Sequence, residues 1–121
     1  MIFGIGCDII EIERIAAMDK RFLTKHFTEK ERQLFLEKKN APQSIAANFA
    51  AKEAFSKALG TGVRGFSLDE VEVLRDSLGK PYINVYGKAL EIVNESGIGN
   101  IFVTLSHSKE LAISYVVLEK E

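Results

Sequence analysis

Between Phe49 and Gly62 the chain reads F-A-A-K-E-A-F-S-K-A-L-G-T-G. Ala50, Ala51, Ala54, Phe55, Ala58 and Leu59 put small or apolar groups around a helix in this stretch. A helix clothed in this way is buried on most sides. Lys52, Glu53 and Lys57 nevertheless stand inside the same run. A buried carboxylate or ammonium is costly unless it is partnered. Glu53 and Lys57 are four residues apart and share one face. Two readings follow. One is an internal ion pair, which the spacing alone favours. The other is a site that holds a metal ion and a phosphate.

The chain around this helix predicts an α+β fold. Ile2 to Ile10 is an apolar, β-branched run with two glycines, read as a buried first strand ending near Asp8. Ile12, Ile15, Ala16 and Met18 follow helical spacing. Thr28 precedes Glu31 by three residues, a capping-box pattern for a helix from about Glu29 to Lys38. Asn40-Ala41-Pro42 opens the central helix, and Gly60 stops it before a loop containing Gly62 and Gly65. Val71 and Val73, a turn over Asp76 to Pro81, and Tyr82, Ile83, Val85 and Tyr86 predict two strands. Ala89, Leu90, Ile92 and Val93 mark a helix ended by Gly97 and Gly99. Ile101–Ser106 and Leu111–Leu118 predict an antiparallel hairpin. The expected architecture is one domain over residues 1–121, an antiparallel sheet packed by helices with a long buried central helix.

Composition narrows the function. With 46% hydrophobic residues the chain is globular. A single cysteine, Cys7, fits a reducing compartment. Met1 leads straight into Ile2-Phe3-Gly4 without a basic leader, and no apolar run approaches the ~20 residues that cross a bilayer. A cytoplasmic protein without a membrane segment is expected. The net charge of −1 names no partner. Arg14, Lys20, Arg21, Lys25, Lys30 and Arg32, however, are opposed locally only by Asp19, Glu29 and Glu31. That stretch is either a solvated helix face or a landing surface for an acidic macromolecule. Nucleic-acid motifs are absent, and no nucleic-acid partner is expected.

The short motifs carry less weight singly. Gly4-Ile5-Gly6 begins like a dinucleotide fingerprint, but Ile9 stands where its third glycine belongs. No phosphate-binding G-x-x-x-x-G-K-[ST] loop is present. Cys7 lacks a second cysteine for zinc and reads as a small core residue. Asp8 is unusual in an apolar strand. It either caps the next helix or, with Glu53, ligates a hard cation such as Mg²⁺, which takes one or two carboxylates with waters and phosphate oxygens. Lys57, one turn beyond Glu53, would then reach the same phosphate. Ser106-His107-Ser108 at a strand end is either structural or an anion site. His26 reads as a surface residue.

G-I-G-C-D-I, the central F-A-A-K-E-A-F-S-K-A-L-G-T-G, G-K-P at Gly79–Pro81 and S-H-S occur here in one order. Over nearly its whole length the chain thereby resembles the holo-[acyl-carrier-protein] synthases, the small phosphopantetheinyl transferases. The resemblance implies Mg²⁺-dependent transfer of 4′-phosphopantetheine from coenzyme A to a serine of apo acyl carrier protein, with adenosine 3′,5′-bisphosphate released. It also implies a homotrimer with each active site between two subunits. Asp8 and Glu53 match the metal ligands, and Lys57 matches the lysine at the reacting phosphate. Gly60, Thr61 and Gly62, then Lys80 and Pro81 after Gly79, match segments lining the coenzyme A site. His107 matches a histidine near the 3′-phosphate. Arg14, Met18 and Arg21 fall where the family docks its carrier. Glu53 is the obvious base for the serine's proton, but a carboxylate bound to Mg²⁺ is a poorer one, so Glu53 is assigned to the metal and the proton transfer, directly or through a water, stays open. The family's Arg before F-A-A-K-E-A is Asn48 here. Asn cannot replace that charge, which predicts weaker coenzyme A binding unless Arg64 or Lys80 substitutes. The alternative functions are a non-catalytic coenzyme A- or carrier-binding module and a structural protein whose Glu53–Lys57 pair is only an ion bridge.

Overall fold

The structure, a computed structural model, describes residues 1–39 and 41–121. Asn40, read above as part of the opening of the central helix, lies outside the described residues. The elements run β1 (Ile2–Glu11), α1 (Ile12–Ala16), α2 (Lys20–His26), α3 (Glu29–Glu37), α4 (Ala41–Leu59), a 3-10 turn (Leu68–Glu70), β2 (Val71–Arg75), β3 (Pro81–Val85), α5 (Gly87–Glu95), β4 (Ile98–His107) and β5 (Leu111–Lys120).

The expected α+β class holds, with the strands split into two antiparallel ladders. β5 is central in a sheet of order β1-β5-β4, and β2 pairs only with β3. The predicted hairpin is β4–β5, in register from Ile101 opposite Leu118 to His107 opposite Ala112. The capping box is present in full. The Thr28 hydroxyl accepts from the Glu31 N–H, and the Glu31 carboxylate accepts from the Thr28 N–H.

Several boundaries differ from expectation. β1 runs past Asp8 to Glu11, so Asp8 lies within a ladder, opposite Ser114, and caps no helix. α2 is a separate helix, begun by Asp19, whose carboxylate accepts from the Phe22 N–H. Met18 therefore sits between two helices rather than in one. Tyr86 is the N-cap of α5 and not a strand residue, and Gly99 belongs to β4.

The 19-residue helix α4 lies on the inner face of the three-stranded sheet, as its apolar coat demands. Ala54, Phe55, Ala58 and Leu59 pack with Val116 and Leu118 of β5. Ala46, Ala47 and Ala50 pack with Ile10, Ile12, Ile15 and Ala112. Helix and strand meet without intervening side chains at Gly4 and Gly6. A Cβ on Gly4 would lie 2.0 Å from the Ala58 carbonyl oxygen, and one on Gly6 would lie 1.9 Å from that of Ala54. The G-x-G of the first strand is thus a packing device. Glycines facing alanines let two backbones touch, and no other residue fits there.

The buried charge in α4 belongs to Lys52. Its ammonium, 0% exposed, sits 2.7 Å from the Glu31 carboxylate and also donates to the Leu68 and Val71 carbonyls. The other Glu31 oxygen accepts from Asn48 (3.0 Å) and the Val73 N–H. Burial is the largest influence on both charges, pushing the Glu31 carboxyl up and the Lys52 ammonium down, and each opposes the other's shift. This network ties α3, α4 and β2 together and fixes the roll of α4.

Candidate active site

Asp8 and Glu53 reach one place from different elements. Asp8 follows Gly6 on the inner side of β1, where the glycine contact has drawn the strand onto α4. Glu53 adjoins the buried Lys52, one step around the helix, and is half-buried. Lys57 lies one turn further and reaches across to β1, where its ammonium donates to the Asp8 carboxylate and to the Cys7 carbonyl, both at 3.0 Å. The ion pair expected between Glu53 and Lys57 is therefore replaced by Asp8–Lys57. A lysine reaching a carboxylate and a carbonyl on an adjacent strand gains more than from a solvated neighbour on its own helix.

The electrostatics describe an incomplete cluster. Glu53's carboxyl is pushed above its ordinary value, first by burial and then by the negative charge of Asp8, with Lys57 opposing. Hydrogen bonding to Asp8, and its charge, raise Lys57 above an ordinary lysine, so it stays an ammonium at any physiological pH. Two carboxylates thus converge with one ammonium between strand and helix, and Glu53 has no ion-pair partner among the described residues. No group of three His, Cys, Asp or Glu residues gathers among the described residues. A pair of hard oxygen ligands with room beside it suits a cation that takes its remaining ligands from water and phosphate.

Glu53 also forms part of the wall of a pocket of about 490 Å³, shared with Lys25, His26, Phe49, Val63, Leu68 and Asp69. His26, read from sequence as a surface residue, is half-buried here. Its ring packs edge-on against Phe22 at 4.9 Å and stands 6.2 Å from the ring of Phe49. Arg14 on α1, Met18 (43% exposed) between α1 and α2, and Arg21 on α2 all present exposed side chains, and Arg21 makes only a loose 4.0 Å contact with Asp19.

The remaining predicted residues separate into two groups. Gly60, Thr61 and Gly62 follow the C-terminus of α4, beginning three residues after Lys57, with Gly60 and Gly62 at positive φ. Lys80 and Pro81 lie at the β2–β3 turn, where Pro81 pairs with Arg75 and Arg75 reaches Asn48 in the first half of α4. His107 ends β4 opposite Ala112, which pairs with Ile10 beside Ala46 and Ala47. Along α4, Asn48 lies nine positions before Lys57, roughly 13.5 Å at 1.5 Å per residue. Among the described residues no hydrogen bond or ion pair joins Lys80, Pro81 or His107 to Asp8, Glu53 or Lys57.

Asn48 is fully buried, donating to Glu31 and Val73 and accepting from Arg75. It faces the interior network, not solvent. Arg75, which no motif singled out, brings a guanidinium to this position instead. Cys7 is also corrected. It lies on the outer face of β1 opposite Tyr115, and not in the core.

Comparison with known proteins agrees with this geometry. Residues 4–116 match the model of the 4′-phosphopantetheinyl transferase superfamily. The chain is 52% identical over 120 residues to the holo-[acyl-carrier-protein] synthase of Alkaliphilus metalliredigens, covering 97% of this chain and 98% of that protein. Its fold superposes on the crystal structure of the Neisseria meningitidis holo-[acyl-carrier-protein] synthase with a TM-score of 0.92, at 34% identity over 99% of this chain and all of the other. The Bacillus anthracis synthase, solved in complex with CoA (3′,5′-ADP), is similar at a TM-score of 0.85 and 38% identity, over 100% of this chain and 99% of that one. With sequence, backbone and the strand-to-helix meeting of Asp8 and Glu53 in agreement, the chain belongs to the 4′-phosphopantetheinyl transferase superfamily.

Proposed function

We infer that this protein is a holo-[acyl-carrier-protein] synthase, transferring 4′-phosphopantetheine from coenzyme A to a serine of apo acyl carrier protein. The observation that carries the reading is the meeting of Asp8, Glu53 and Lys57, with Lys57 3.0 Å from Asp8, in a chain of this family. Residues 1–121 act as one transferase domain, working in the cytoplasm in fatty acid biosynthesis. The free thiol of Cys7 is compatible with that compartment.

Asp8 and Glu53 would hold Mg²⁺. The donor set fits, because burial and then the charge of Asp8 raise the Glu53 carboxyl, and a cation beside both carboxylates would offset both effects. When bound, the ion supplies neutralisation of the pyrophosphate's charge. The chain's own residues do the rest. Lys57, held protonated by Asp8, places positive charge beside the phosphorus under attack and the oxygen that leaves. Gly60, Thr61 and Gly62, with two residues at positive φ, present bare backbone to the cofactor's diphosphate end. Arg14 and Arg21 draw in the acidic carrier, and Met18 packs on its apolar surface.

The protein works as a homotrimer whose sites are completed by a neighbouring copy, which contributes Lys80, Pro81 and His107 to coenzyme A. Two observations support this. Through Arg75 and Ala112, Pro81 and His107 are tied to the first half of α4, whereas Lys57 is in its last turn. The outer face of the three-stranded sheet also exposes Ile5 (69%), Ile9 (56%), Phe102 (52%) and Tyr115 (53%), side by side across the register. A contiguous apolar surface of this kind marks an interaction site.

The test is to incubate the protein with coenzyme A, Mg²⁺ and an apo carrier, then weigh the carrier. A gain of one 4′-phosphopantetheine with Mg²⁺ and none with a chelator is expected. An unmodified carrier under the same conditions would leave the alternative, a non-catalytic binding module.

A further inference from the structure

The charges in the network around Asn48 do not balance. Lys52 and Arg75 bring two cations to it, and Glu31 brings one carboxylate. Both Glu31 oxygens are already taken. One accepts from the Lys52 ammonium and the Thr28 N–H, the other from the Asn48 amide and the Val73 N–H. The Arg75 guanidinium donates instead to the neutral Asn48 side chain at 2.8 Å and, at 3.4 Å, to the Leu74 carbonyl. It forms no ion pair among the described residues. Burial lowers its basicity, with the charge of Glu31 opposing, yet an arginine stays charged. A half-buried cation held only by an amide and a carbonyl is costly until an anion joins it. Those two bonds leave three of the five guanidinium N–H donors unused. No buried side-chain nitrogen or oxygen among the described residues lacks a partner, so the unused donors are open to solvent. They border a groove of about 510 Å³ that Arg75 lines together with Lys30, Gln33 and Tyr82. Glu29 and Glu37 line it too, but both are exposed, screened by water and unpaired with Arg75.

We propose that Arg75 binds the 3′-phosphate of coenzyme A and makes the enzyme select coenzyme A over its 3′-dephospho form. This rests on the transferase reading above and adds a specificity residue that stands in none of the motifs carrying the resemblance. Coenzyme A has two anionic groups, its pyrophosphate and one phosphomonoester on the ribose. The pyrophosphate belongs with Asp8, Glu53 and Lys57, so a second cationic site has only the phosphomonoester to serve. The unused N–H donors of Arg75 lie in one plane, the fork that phosphate oxygens accept, and Lys30 adds a point charge on the same groove. The ring of Tyr82, 41% exposed, offers the adenosine an apolar face there. Arg75 pairs with Pro81 across the β2–β3 ladder, so it goes with Lys80 and Pro81 to whichever site they complete. Asn48 is a positioning residue in this arrangement, because its amide oxygen fixes the guanidinium from the buried side. No bond is made or broken at the 3′-phosphate. It leaves unchanged on adenosine 3′,5′-bisphosphate, and its contact supplies binding energy from a part of the substrate remote from the reaction.

The test uses two probes that differ by that phosphate alone, adenosine 3′,5′-bisphosphate and adenosine 5′-monophosphate. Each is titrated calorimetrically into the full chain with Mg²⁺ present. Wild-type protein should bind the bisphosphate about tenfold or more tightly than the monophosphate. Arg75→Met should lose about 10–100-fold in affinity for the bisphosphate, the range of a hydrogen bond to a charged group, and keep its affinity for the monophosphate within about twofold. The preference then falls to near one. Should the denaturation midpoint of Arg75→Met lie far below wild type, Arg75→Lys carries the test, since it keeps the charge without the fork and should lose part of the preference. A purely structural arginine would lower the midpoint and leave the preference as it was. Wild-type preference in both variants, equal losses for both probes, or no preference in the wild-type protein would overturn the proposal. Failure of the wild-type protein to modify a carrier would overturn the transferase reading instead. The binding preference is read without any carrier, so the two failures are told apart.

Discussion

Gly6→Ala tests whether the strand-to-helix contact sets the active-site geometry. The added Cβ would lie 1.9 Å from the Ala54 carbonyl oxygen and 2.7 Å from the Ala58 nitrogen, about 1.5 Å short of the ordinary contact that begins at 3.4 Å. Both atoms are backbone, so no rotamer change relieves the clash, and Ala54→Gly would not rescue it. β1 must lift from α4, and Asp8, two residues on, must move with it. Overpacking of this kind costs about 1–3 kcal/mol, and a backbone clash belongs at the upper end. At roughly 4 °C per kcal/mol for a chain of this size, the midpoint should fall by about 8–12 °C. The catalytic effect should be larger than the loss of folded protein. A displacement near 1 Å in a site that works by positioning costs on the order of 10²-fold in rate. Thermal denaturation followed by circular dichroism measures the first quantity. Carrier modification at 15 °C, where the variant is still folded, measures the second. A Gly6→Ala protein with the wild-type midpoint would refute the packing argument. A destabilised variant with wild-type kcat would refute the link from packing to catalysis.

Two other perturbations probe separate parts of the molecule. Lys52→Met leaves Glu31 buried without its cation and should destabilise the fold by about 3–5 kcal/mol in urea denaturation, and a loss under 1 kcal/mol would mean the network carries no such weight. Arg14→Glu should raise KM for the carrier at least tenfold while leaving KM for coenzyme A within twofold, and added salt should reproduce the effect in the wild-type protein; equal changes for both substrates would argue against a docking role.

The elements legible from sequence were those specified locally. The capping box at Thr28, the hairpin of β4 and β5 and the apolar coat of α4 each follow from residues within a few positions of one another. The partners of the charges were not local. Glu53 and Lys57 have the right spacing to pair, but Lys57 finds Asp8 forty-nine residues away and Lys52 finds Glu31 twenty-one residues away. Which carboxylate wins depends on where the strand and α3 lie, and spacing along one helix holds no information about that. The glycines were visible but their meaning was not. A G-x-G in a strand speaks of close packing only when it is matched to Ala54 and Ala58 on the facing helix. α2 was hidden for a different reason. It buries no residue fully and lacks a strong apolar stripe, and the only local signal was Asp19 at its N-cap. Missing that helix also concealed His26, which the helix's last turn delivers to the Glu53 pocket. Asn48 shows the converse limit of resemblance, since a motif position that differs from its family says nothing of whether the side chain faces solvent until its burial is seen.

The convergence of Asp8 and Glu53 on one divalent ion is tested most directly by titrating Mn²⁺ into the protein with coenzyme A present and following the free-ion signal by electron paramagnetic resonance. Wild-type protein should take up one Mn²⁺ per chain, displaceable by Mg²⁺. Asp8→Asn and Glu53→Gln should each weaken that uptake by at least tenfold while still folding. Equal Mn²⁺ uptake by all three proteins would show that these two carboxylates do not hold the ion.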